Sequence, residues 1–135
     1  MKKILFLLSV ILILHSCKEE QKETLPQEIA VKQPEIRYGY NLDNFKVIQD
    51  TIKKGESFGI ILDRHHVFYP KINQIATSIK DIWDVRRVRA GKPYTILASK
   101  DSTEKAQVFI YNHDKINATI VDFKDSVIVA KKYQK

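Results

Sequence analysis

A single cysteine, Cys17, excludes an internal disulfide, so the fold must be held by packing alone. No apolar run is long enough to cross a bilayer: the longest, Ile4 to Leu14, has eleven residues where about 20 are needed. The four histidines, His15, His65, His66 and His113, include no His-x-His pair. A zinc hydrolase needs three protein ligands and an open position for water, and that set is not found. No catalytic residue, metal ligand or cofactor is therefore expected, and the chain reads as having no catalysis of its own.

What the chain does have begins at its amino terminus. Lys2 and Lys3 precede the apolar run, the pattern of an exported leader. The run ends in Leu14-His15-Ser16-Cys17. This resembles the lipobox of bacterial lipoproteins, with an aliphatic residue three places before the cysteine and a small one immediately before it. The resemblance implies that residues 1–17 are a lipoprotein signal peptide and that the Cys17 sulfur carries the lipid. Two or more acyl chains give stable anchoring. The partner is then a membrane, and Lys18, in place of an aspartate, favours the outer membrane, on its periplasmic or surface face.

The formal charge of +7 falls by the two leader lysines to +5 in a processed chain. Inside a cell such an excess would suggest nucleic acid. An exported chain meets anionic headgroups and the carboxylates of cell-wall peptides, so nucleic acid is not the expected partner.

Residues 18–40 are rich in Glu, Gln and Lys and are broken by Pro26 and Pro34, which reads as a flexible tether. Phe45 to Ile52 reads as a strand. Lys54-Gly55 turns the chain, and Glu56 or Ser57 caps a helix whose face is Phe58, Ile61, Leu62 and His65. Pro70 opens a second helix with Ile72, Ile75, Ala76 and Ile79 on one face. Asp81 to Arg89 is a loop, Ala90 to Pro93 a turn, and Tyr94 to Ala98 a second strand. Lys105 to Asn112, Ile116 to Phe123 and Ser126 to Tyr133 follow as three strands of an antiparallel meander, which either extends the first sheet or forms a layer against it.

The strand-helix-helix-strand order and its punctuation, Lys54-Gly55-Glu56-Ser57-Phe58 and Arg89-Ala90-Gly91-Lys92-Pro93-Tyr94, resemble the LysM domain, a βααβ module that binds N-acetylglucosamine polymers. From Tyr40 to Lys135 the texture also resembles the LysM-like, opacity-associated-protein-A-type amino-terminal region of lysostaphin-type (LytM) murein endopeptidases. The expected fold is thus α+β, a LysM-like βααβ domain over 41–99 followed by a three-stranded meander over 100–135. The resemblance implies a lipid-anchored cell-envelope protein whose module binds or is positioned at peptidoglycan. The alternative is a regulatory amino-terminal region, or partner, of a murein hydrolase. It places a glycan site at Gly55, Glu56, Ser57 and Phe58 on one side and Lys80, Asp81, Ile82 and Trp83 on the other. Glycan-binding members usually carry an asparagine after the second helix, where this chain has Ser78-Ile79-Lys80-Asp81.

Some residues read two ways. His65 and His66 are metal ligands or one packed and one solvated side chain; adjacent helix positions diverge by about 100°. Trp83 stacks on a sugar or plugs the core. Arg86, Arg87 and Arg89 clamp carboxylates or stay solvated beside the turn.

Overall fold

The computed structural model describes residues 33–135, and the signal peptide and most of the tether lie outside them. Five strands form one antiparallel sheet in the order β3-β4-β5-β6-β7: β3 (Lys46–Thr51), β4 (Pro93–Ala98), β5 (Ala106–Asn112), β6 (Asn117–Asp122) and β7 (Val129–Gln134). Two helices, α1 (Phe58–Arg64) and α2 (Tyr69–Ser78), sit between β3 and β4 in sequence. The fold is α+β, and the carboxy-terminal strands continue the first sheet by direct pairing of β4 with β5, Tyr94 opposite Tyr111 and Leu97 opposite Val108.

Each helix forms where the sequence supplies both a stripe and a start. Ser57 caps α1 by accepting from the Ile60 amide at 3.3 Å. Phe58, Ile61 and Leu62 turn inward from it. At the other end the Val67 amide reaches the Leu62 carbonyl and the His66 amide the Asp63 carbonyl, with His66 left-handed at φ 63°. That is a Schellman closure, which glycine usually makes. Pro70 lies in the first turn of α2, and Ile72 and Ile75 are buried beneath it. Gly55, at φ +85°, makes the corner between β3 and α1 that a side chain would strain.

The sheet buries both faces. Beneath the helices lie Tyr94, Ile96, Phe109, Tyr111, Val121 and Phe123, packed with Ile61, Leu62, Ile75 and Trp83. On the opposite face Leu97, Val108, Ile110, Ala118 and Ile120 are covered by Tyr38 and Leu42. Central strands with no solvent face read as apolar runs, Thr95 to Ala98 and Val108 to Tyr111, not as alternation.

The cover on that second face comes from the junction between the expected tether and domain, Tyr38 on the tether side and Leu42 on the domain side. Ile36–Arg37 (β1) and Tyr40–Asn41 (β2) pair through a Tyr38-Gly39 turn with positive φ at both residues, followed by a 3-10 turn at Leu42–Asn44. The Tyr40 hydroxyl donates to Asp122 Oδ2 at 2.7 Å. Burial, and then the Asp122 carboxylate, push the Tyr40 phenol far above its ordinary pKa.

Candidate functional site

In register across four strands, Tyr94, Tyr111, Thr119 and Lys132 form one row, and register puts them on the same face of the sheet. Tyr94 and Tyr111 lie in the core beneath the helices. The outer part of the row borders an open cleft of about 680 Å³ between the loop after α2 and the β5–β6 turn. Lys80, Asp81, Ile82, Trp83, Asp84, Arg87, Arg89 and Lys92 line one side, and Tyr111, His113, Asn117, Thr119 and Lys132 the other.

The loop wall is built by short-range bonds. The Ile82 and Trp83 amides both return to the Ile79 carbonyl, which winds the chain tightly after α2. Asp84 then caps a 3-10 turn (Val85–Arg87) by accepting from the Arg86 amide at 3.0 Å. Its carboxylate also takes the Arg86 guanidinium, Nη2 to Oδ2 at 2.6 Å. Those bonds hold the Asp84 carboxyl far below its usual range. The turn into β4 is tied to the end of β3, Gly91 amide to Ile52 carbonyl at 2.8 Å and Ile52 amide to Lys92 carbonyl at 3.0 Å.

The opposite wall rests on Asp114 and His113. Asp114 accepts from the Asn117 side chain at 2.9 Å and from the Ile116 and Asn117 amides at 2.7 Å. These bonds bring its carboxyl down to about 2. His113 Nε2 is 2.7 Å from Thr119 Oγ1, and the His113 carbonyl accepts from Lys92 Nζ at 2.6 Å. Burial chiefly, with Lys92 and Lys132 nearby, holds the imidazole below its ordinary pKa. Asn117-Ala118-Thr119 has the glycosylation pattern, but its threonine is buried and bonded to His113.

Trp83 is the floor. Only 5% exposed, it stacks on Tyr111 at 5.2 Å and takes the edge of Phe58 at 6.0 Å. Its indole Nε1–H is buried and has no acceptor. The ring is therefore part of the core, with no face offered for stacking a sugar.

The eight residues expected at a glycan site separate into two groups. Lys80, Asp81, Ile82 and Trp83 line the cleft; Gly55, Glu56, Ser57 and Phe58 do not. Ser57 is spent as a helix cap and Phe58 is buried against Trp83 and Phe109. Glu56 is bonded to the Lys53 amide and paired with Arg64, which lowers its pKa. The cleft residues from beyond the loop, Lys92, His113, Thr119 and Lys132, are not in that set. Thr119 and Lys132 arrive through strand register, which no local motif announces; Arg87 and Arg89 were visible as a basic cluster and Lys92 as part of the turn into β4.

His65 is half-buried with Nε2 unpartnered, and burial chiefly lowers its pKa. Its ring meets Tyr94 edge-on, while His66 is exposed at the helix end. Among the described residues no three His, Cys, Asp or Glu side chains converge as metal ligands. The described residues thus offer no fit for a catalytic zinc, and no chemical step is assigned to one. Among them, too, no helix is long and apolar enough to cross a membrane.

Neither a family model nor a curated protein matches the chain. A solved structure does: a zinc-containing peptidase from Vibrio cholerae, at 16% identity and a TM-score of 0.55. The match covers 65% of this chain and 27% of the peptidase chain, so this chain spans about a quarter of the protein whose fold it shares. The expectation that the protein has no catalysis of its own is corrected by this finding. The fold occurs inside a peptidase, so it gives no ground for excluding an enzyme.

Proposed function

We propose that the chain belongs to a murein-hydrolase-like envelope protein, anchored through an acylated Cys17, in which residues 33–135 meet peptidoglycan. The observation that carries this reading is the fold shared with a zinc-containing peptidase. The order β3-α1-α2-β4 supports assigning a LysM-like unit at its centre, and the lipobox sequence supports the envelope and the outer membrane. A cleft with several cations suits a polymer whose peptides carry carboxylates.

That the match spans only 27% of the peptidase favours a second role for the same region, regulation of a hydrolase to which it is joined or bound. Retention of the full chain on insoluble sacculi tests the first role. It is expected to persist in about 0.5 M salt, where the screening length is only a few ångström. Loss on salt alone would reduce the interaction to general charge attraction and reject the reading. For the second role, added protein is expected to change the rate at which a murein endopeptidase digests sacculi, and an unchanged rate would reject it.

A further inference from the structure

We infer that the cleft between the loop after α2 and the β5–β6 turn binds a peptide through its carboxylates, in place of a neutral sugar. The inference rests on the peptidoglycan reading above and names the part of the polymer that is held.

Charge carries it first. Lys80, Arg87, Arg89, Lys92 and Lys132 line the cleft against only Asp81 and Asp84. Asp84 is already neutralised by Arg86, which points the loop's one tight ion pair inward on itself. Among the described residues, none of the five lining cations is in a salt bridge. Two of them are arginines two positions apart, whose planar forks take carboxylates in a bidentate way.

Preorganisation carries it further. Lys92 is held in place by the His113 carbonyl, and Thr119 by the His113 ring, so the polar wall is organised before any ligand arrives. Sugar stacking, by contrast, needs an exposed ring face, and Trp83 has none.

Calorimetric titration of the full chain with three compounds tests this: a short peptide with two free carboxylates, the same peptide fully amidated, and an N-acetylglucosamine tetramer. The dicarboxylate is expected to bind, and amidation to weaken it about tenfold or more. Changing both Arg87→Gln and Arg89→Gln, two exposed positions, is expected to cost a similar factor. Equal binding of the amidated peptide, tetramer binding with the dicarboxylate silent, or an unaffected arginine double variant would each overturn the inference. Retention on sacculi, measured with the same preparation, separates the two claims. Retention without dicarboxylate binding leaves the wall reading standing and removes this one; dicarboxylate binding without retention does the reverse.

Discussion

His66 shows how a residue that reads as chemistry turns out to be geometry. A histidine pair invites a metal, yet His66 occupies the left-handed position that closes α1, with its amide on Asp63 and the next on Leu62. A backbone at φ 63° is strained for a residue with a Cβ. His66→Gly should therefore stabilise the fold by about 0.5–1 kcal/mol, the relief of that strain less the added freedom of the unfolded chain. Urea unfolding of the two proteins checks it; a loss of stability would mean that the imidazole makes interactions the backbone geometry does not reveal. Trp83 is the converse case. Its two readings, platform or plug, were both open from the sequence, and three surrounding rings decide for the plug while leaving its buried N–H without an acceptor.

At the scale of elements, the segment crossing the back of the sheet matters most, because five strands cannot expose Leu97, Val108, Ile110 and Ile120 to water. Tyr38 and Leu42 cover them, and the Tyr40–Asp122 bond fastens the segment to β6. Tyr40→Phe keeps the ring against Phe45 and removes only the hydroxyl. It should cost about 1 kcal/mol, read as a lower urea midpoint; no change would mean that the segment is held by its apolar contacts alone. Tyr38 and Tyr40 could be read as the point where the tether docks, but not the strand pair they form or the face they cover. Ile36, Tyr38, Tyr40 and Leu42 alternate with polar residues and glycine, but the ordering of this segment depends on a sheet made of residues far along the chain. The helices and strands were legible because each carries its own stripe or run: the helix stripe Phe58-Ile61-Leu62 and the strand Phe45 to Ile52 were placed within a residue or two. The site was half legible. Lys80 to Trp83 follow α2 in sequence and could be read locally, whereas Thr119 and Lys132 join them only through strand pairing.

For the whole molecule, the sheet is a frame with its two helices on one face and an amino-terminal segment on the other, and the cleft lies at the outer part of the helix face. Its lining carries five cations, Lys80, Arg87, Arg89, Lys92 and Lys132, against the two carboxylates Asp81 and Asp84. The same fold occurs within a zinc-containing peptidase. Because the chain has a single tryptophan, its indole N–H gives one nuclear magnetic resonance signal, reporting from the cleft floor. On adding soluble murein fragments with intact peptides to the full chain, that signal should shift saturably, and glycan stripped of its peptides should leave it in place. A signal unmoved by saturating peptide-bearing fragments would contradict the account at its centre.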